Sequence, residues 1–387
     1  MTALTKTSQI TPTEASARPR QALFNPTGMA RRLQASPLFA IGPGEPRPAL
    51  RRGALLAVPV GLTLVFELGF GAPTKGALGI GASICGFAGM DAPARPRAAW
   101  QAVTAVLVGL AAALGVLSSQ HAVTAVLAMG LLGLAAGYCF SVSLRLAFCG
   151  LVTVLALLIS QGLWLPADAA GKALIWGTAG ASLQVIWSLL VWVFADRAAD
   201  QPESGWSTQI AIERLRSNFN LESPAARHAL RFGTALALGV AVYHAFDLHD
   251  HGYWVPLTIL FVMRPERDES YHRIVLRAVG TAAGLVIATG LAELIDSDLV
   301  DGLLLAVSIG FAYGLLTVQY ALFTLAVTIF VVLSVDILGE PALEAAGQRA
   351  IGTAIGLLII YLAFVLWPNP PQVEAEEPTG APATSAT

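Results

Sequence analysis

The sequence predicts an all-α, polytopic membrane protein of about twelve transmembrane helices, and three observations predict it. The 387-residue chain is 55% hydrophobic and only 12% charged, with a mean hydropathy of +0.67. Soluble domains carry about 25% charged residues, and a globule must show much of its area to water. The apolar residues are also gathered into runs close to the roughly 20 residues that a bilayer span needs. These runs do not alternate apolar and polar with period two, as the strands of a membrane β-barrel would.

Residues 1–47 are polar, rich in Pro and Arg, and hold no apolar stretch long enough for a cleaved signal, so they read as an N-terminal tail. The first group of six apolar segments follows within residues 48–196, at 53–70, 76–90, 98–117, 122–140, 146–164 and 173–195. Its second segment, "GALGIGASICGFAGM", contains five glycines. Residues 197–226 form a polar linker, too short for a catalytic domain, in which Ile210–Phe219 has a short amphipathic pattern. Ser223-Pro224 then supplies an N-cap and a first-turn proline for the next helix. The second group occupies residues 227–367, with segments at 232–247, 252–263, 277–294, 301–318, 320–336 and 350–367. Its second segment, "GYWVPLTILFVM", is again anomalous: it carries Pro256, and such a helix would rise about 18 Å against a hydrocarbon core of about 30 Å. In each group the fourth and fifth segments nearly touch and read as a helical hairpin. Residues 368–387, "PNPPQVEAEEPTGAPATSAT", read as a disordered tail.

The two groups read as parallel repeats. Ala49-Leu50-Arg51 sets over Ala229-Leu230-Arg231, Gly109 and Gly115 over Gly284 and Gly290, and Gly177-Thr178-Ala179 over Gly352-Thr353-Ala354. An even number of spans gives both halves one orientation, related by an axis along the membrane normal. With both termini cytoplasmic, all of the 23 Lys and Arg fall on the inner side except Lys75, Lys172 and Arg349, as the positive-inside rule expects.

Short or interrupted spans at matching positions of two repeats are the sequence pointer to a transporter site. Tyr253, Trp254 and Pro256 lie in such a span, and "RPERDESYHR" follows it. That charged stretch reads either as a solvated inner loop or as a basic mouth in which Arg264, Arg273 and Arg277 hold an anion. Arg273 and Arg277 would share a helix face, and a guanidinium fork suits a carboxylate. Arg95 and Arg97 occupy the matching loop of the first half. "GTAAG" at residues 280–284 reads more simply as close helix packing. Among ionisable residues inside spans, Glu67 and His244 stand out; His244 either bonds to a helix neighbour or carries a coupling proton. "DLHDHG" at residues 247–252 has no second ligand cluster, so no metal is expected. Cys85, Cys139 and Cys149 read as small buried hydrophobes. No P-loop, nucleophile elbow, HExxH or dinucleotide pattern occurs; no cofactor and no nucleic acid are expected, and an embedded enzyme lacks a catalytic constellation.

At "RSNFNLESPAARHALRFG", "YWVPLTILFVMRPERDESYHRIVLRAVGTAAG" and "GQRAIGTAIGLLIIYLAFVLWP" the chain resembles the fusaric acid resistance family of membrane proteins. That family includes bacterial aromatic carboxylic acid exporters and, distantly, plant aluminium-activated malate transporters. The resemblance is specific over residues 215–367 and degenerate over 49–195, where the "YW-x-P" and "RP" elements are missing. It implies an inner-membrane exporter of small organic anions, driven by an ion gradient, whose partners are that anion and the lipid bilayer. Two other readings stay open on the residues: a passive anion channel, and a scaffold whose linker binds a partner.

Overall fold

The computed structural model describes residues 46–70, 76–196, 208–218, 220, 223–246, 248, 252–295, 297–316, 318–337 and 342–368. Among these residues every regular element is a helix. The first half comprises α1 (Pro46–Phe70), α2 (Ala77–Cys85), α3 (Ala94–Ser118), α4 (Ala122–Cys139), α5 (Leu144–Gly162) and α6 (Ala170–Val191). After α7 (Thr208–Ser217) come α8 (Pro224–Ala245), α9 (Trp254–Val262), α10 (Arg267–Leu294), α11 (Asp298–Leu315), α12 (Tyr320–Ile337) and α13 (Ala342–Leu366). Of the tails read at residues 1–47 and 368–387, all but residues 46, 47 and 368 lie outside the described residues.

Among the described residues, seven helices are long and apolar enough to cross a membrane: α1, α3, α4, α5, α6, α10 and α13. Their outward surfaces carry Leu62, Val103, Leu110, Leu131, Ile175, Val286 and Leu358, side chains that suit contact with lipid rather than water. The chain is a multi-pass helical membrane protein. Residues 300–315 and 320–335 form shorter apolar helices.

The two anomalous segments are both nine-residue helices, α2 and α9, each rising about 14 Å. They are sheathed by the longer helices. Every residue of α9 is buried, as expected of a helix that is apolar all round. Glu67 of α1 accepts the backbone N–H of Leu78 at 3.2 Å and of Gly79 at 3.3 Å. It thereby satisfies first-turn donors of α2 that have no intrahelical partner. Ser223 caps α8 by accepting from Ala226 N–H at 3.1 Å, with Pro224 in the first turn. The amphipathic linker stretch forms part of α7 as far as Ser217; Phe219 lies outside the described residues.

Small residues decide which helices meet. In the first half α3 packs on α5 and α6, and α2 on α6; in the second, α10 packs on α12 and α13, and α9 on α13. Between the halves α1 packs on α11, and α8 on α4. A Cβ on Gly53 of α1 would strike Gly310 O of α11, and one on Gly233 of α8 would sit 2.7 Å from Gly130 O of α4. Residues 280–284 are packing residues: Cβ atoms on Gly280 and Gly284 would lie 2.8 and 2.7 Å from the Cβ atoms of Thr324 and Thr328.

Candidate functional site

The site is built around α9. Pro256 is the third residue of that helix, a position with no intrahelical N–H bond to lose. The carbonyl it leaves, Gly252 O, instead accepts Val255 N–H at 3.1 Å. Pro256 therefore shapes the start of the helix without kinking it. It also seats α8, since a Cβ on Gly239 would lie 3.2 Å from the Pro256 Cα. Tyr253 precedes the helix and packs edge-on to Trp254 with ring centroids 5.7 Å apart.

At the other end of α9 the chain turns through Arg264-Pro265-Glu266 into α10. The turn is held by Ser270: Arg264 N–H donates to Ser270 Oγ at 2.9 Å, and the Ser270 hydroxyl reaches Glu266 O at 3.0 Å. Arg264 is 3% exposed. Its Nη1 donates to Met263 O at 3.1 Å, and its guanidinium lies 5.7 Å from the Phe140 ring. Arg273 donates to Glu269 at 2.9 Å, and Arg264 Nε lies 4.0 Å from the same carboxylate oxygen. One carboxylate thus serves two arginines. Arg273 also lies 4.6 Å from the Tyr320 ring centroid, while the Tyr320 hydroxyl donates to Phe261 O at 3.1 Å.

Deeper along α10, one turn on from Arg273, Arg277 is 0% exposed, with its guanidinium 5.9 Å from the Phe261 ring centroid. Arg349 of α13 is likewise 0% exposed and lies 5.4 Å from the Trp254 ring centroid. The three guanidinium nitrogens of each have no hydrogen-bond partner. Burying an ion costs several kcal/mol even after relaxation, whereas a cation over an aromatic face returns about 0.5–2 kcal/mol. The desolvation cost is the larger, so the arrangement calls for negative charge.

The structure brings Tyr253, Trp254, Pro256, Arg264, Arg273 and Arg277 together along one short helix and its flanks. Arg349 joins them from sequence far away. The charge count placed it in an outer loop, but it lies inside α13, buried. A signal for it exists in the sequence: Arg277-x-x-Gly280-Thr281-x-x-Gly284 is repeated as Arg349-x-x-Gly352-Thr353-x-x-Gly356. His244, half-buried near the end of α8, stacks on Tyr243 at 4.5 Å and meets Trp164 edge-on at 5.3 Å. Asp247, His249, Asp250 and His251 of the neighbouring cluster lie outside the described residues. A buried histidine that the sequence reading passed over is His228, held between Phe140 and Phe232.

The matching region of the first half is different. Arg97 is buried but donates to Ser188 Oγ at 3.1 Å; Ser188 donates to Gln101 Oε1 at 2.6 Å. Gln184 donates to Leu56 O and Ala82 O at 2.9 and 3.1 Å. Arg95 sits 5.3 Å from the Trp192 ring centroid. The first half places a hydrogen-bonded polar network where the second places buried arginines.

Comparison with known proteins agrees with this focus on the second half. Residues 236–370 match the family described as fusaric acid resistance protein-like. The inner membrane protein YccS of Escherichia coli is 36% identical over 157 residues, covering 40% of this chain and 22% of that protein. The uncharacterized protein YhfK of the same organism is 33% identical over 160 residues, covering 41% of this chain and 23% of the relative. An uncharacterized protein of Haemophilus influenzae is 32% identical over 155 residues, covering 40% and 21%. The chain thus spans little more than a fifth of these relatives. No solved structure matches. The segment that holds Trp254, Arg264, Arg277 and Arg349 is thus the part of the chain that is similar to the fusaric acid resistance protein-like family.

Proposed function

We propose that this protein transports small organic anions, aromatic carboxylates foremost, out of the cell across the inner membrane, driven by an ion gradient. The observation that carries the reading is the second-half arginine cluster. Arg264, Arg273 and Arg277 gather against Phe140, Tyr320 and Phe261, with Glu269 as the carboxylate paired with Arg264 and Arg273 but not with Arg277 among the described residues. Excess buried positive charge beside aromatic faces fits a ligand with an anionic head and a flat apolar body. The burial of Arg277 favours a carrier that occludes its cargo over an open pore. The name of YccS supports inner-membrane placement.

The same proposal includes twelve crossings in two parallel six-helix halves, residues 48–196 and 227–367, with 197–226 as a cytoplasmic linker and both termini cytoplasmic. The packing supports the repeat: α1 meets α11 as α8 meets α4, α2 meets α6 as α9 meets α13, and α3 meets α5 and α6 as α10 meets α12 and α13. In this reading α2 and α9 are the interrupted spans that face the transport path, as in other repeat transporters. His244 remains our candidate for a coupling proton.

Purified protein in liposomes, given radiolabelled p-hydroxybenzoate and an imposed pH gradient, tests this. Uphill accumulation is expected, falling about tenfold or more in Arg264→Ala. Flux that runs only downhill, indifferent to the gradient, would make the protein a channel. Absence of flux for a panel of carboxylates would sink the transport reading.

A further inference from the structure

Arg277 and Arg349 stand apart from the rest of the cluster. Arg264 and Arg273 each have hydrogen bonds, but none of the six nitrogens of Arg277 and Arg349 meets a partner in good hydrogen-bond geometry, although the Tyr320 phenol stands beside Arg277, and both side chains are completely buried. They come from different helices, α10 and α13, yet address the same short helix. Phe261 and Trp254, the rings beneath them, are seven residues apart on α9 and so share one of its faces. Arg277 and the Tyr253 phenol are the titratable neighbours of Arg349, and the Tyr320 phenol is the polar neighbour of Arg277.

The repeated cassette explains how they are aimed. In each copy the two glycines let the helix close on a neighbour: Gly280 and Gly284 on Thr324 and Thr328, Gly352 and Gly356 on Trp254 and Thr258. The arginine precedes the first glycine by three residues and the threonine by four, so guanidinium and hydroxyl lie one turn apart on one helical face. The buried hydroxyls of Thr281 and Thr353 also have no hydrogen-bond partner. Each cassette therefore offers a buried guanidinium and a buried hydroxyl. In the register that sets Gly109 on Gly284 and Gly177 on Gly352, Ala102 and Leu174 stand where Arg277 and Arg349 stand. The first half has no counterpart of the pair.

We propose that Arg277 and Arg349 form a clamp for one carboxylate group, completed by the Thr281 and Thr353 hydroxyls, and that the chain holds one such clamp, in its second half. This rests on the anion-transport reading and deepens it by naming the residues that grip the anionic head. Two guanidinium forks from separate helices, both desolvated, would hold α10 and α13 together through the bound carboxylate. Arg264 and Arg273, already engaged by Glu269 and Met263 O, then serve the approach to the clamp.

The test uses the full chain in detergent micelles, with benzoate as probe and benzamide as its neutral isostere. Affinity and stoichiometry are read by calorimetry and thermal unfolding is followed in parallel. Benzoate is expected to bind one per chain and raise the Tm, while benzamide does neither. Arg349→Gln and Arg277→Gln should each weaken benzoate binding at least thirtyfold, and should raise or leave unchanged the Tm without ligand, because each removes an unpaired buried charge. A merely structural arginine would instead lower it. Arg145→Gln, at an arginine paired with Asp91, should change nothing in binding. Should the glutamine variants fail to fold, Arg349→Lys decides: it keeps the charge but not the fork, and binding at least tenfold weaker supports the clamp, while unchanged binding overturns it. Benzoate affinity within twofold of wild type in Arg349→Gln overturns the clamp and leaves anion transport standing. Two benzoates per chain overturn the single site. A wild-type protein indifferent to benzoate overturns the anion reading and the clamp with it.

Discussion

Gly352 and Gly356 show how single residues position a site without touching its ligand. A Cβ on Gly356 would lie 2.7 Å from the Thr258 Cβ and 2.8 Å from Val255 O; one on Gly352 would lie 3.0 Å from the Trp254 Cβ. The obstructing atoms are mostly backbone and Cβ, which cannot swing aside. Gly356→Val should therefore force α13 off α9 and destabilise the protein by about 1–3 kcal/mol or more, visible as a lower detergent Tm and a blunted response to anion. Gly347, whose Cβ would meet open space, should accept alanine without loss. Arg349 belongs to this scale too. The charge count set it beyond a span although its R-x-x-G-T-x-x-G motif was visible in the sequence; its burial was not legible, because burial on α13 depends on Trp254, almost a hundred residues earlier.

At the scale of elements, the anomalies of the two short segments were readable. Glycine in one and proline in the other, at matching places, marked α2 and α9 as unlike ordinary spans. How they survive burial was not readable, because their partners come from other helices. Glu67 covers the start of α2, Tyr313 donates to Ser83 O near its end at 2.6 Å, and Tyr320 covers the end of α9. Tyr320→Phe leaves Phe261 O without that donor, and an unsatisfied buried group costs about 1–3 kcal/mol. A Tm lower than wild type, with Arg273 no longer facing a phenol, is the expected outcome. The cap of α8 was legible in full from Ser223-Pro224. Ser223→Ala should cost about 1 kcal/mol, measurable as a modest Tm decrease with transport preserved.

For the whole molecule, the contacts between the halves give a test of the repeat proposal. A Cβ on Gly310 would lie 3.2 Å from the Ala57 Cβ, and a Cβ on Gly130 would lie 3.2 Å from the Ala237 Cβ; both residues of the second pair are 180 positions from their counterparts in the first. Cysteines placed at Ala57 with Gly310, or at Ala237 with Gly130, in a background lacking Cys85, Cys139 and Cys149, should cross-link within the monomer in both cases. Formation of one bond without the other would argue against a repeat-related pair of crossings. Symmetry of packing does not extend to chemistry: the first half answers its buried polar groups with Gln101, Gln184 and Ser188, and the second leaves arginines to be answered by something else.

Composition and run length alone determined an all-helical membrane protein, because no soluble fold can hide so much apolar surface and no barrel lacks alternation. The sequence also determined which helix would be short, which serine would cap, and that basic residues would cluster after Met263, since those properties follow from local spacing. Only the tertiary structure decided which of the charges are buried. It separated Arg97, bonded to Ser188, from Arg277 and Arg349, which meet aromatic rings but no acid and no well-aligned hydrogen-bond partner, and it brought α13 against α9 so that Arg349 could join Trp254. The physical reason is that the cost of a charge depends on every helix around it, and no window of sequence contains them all.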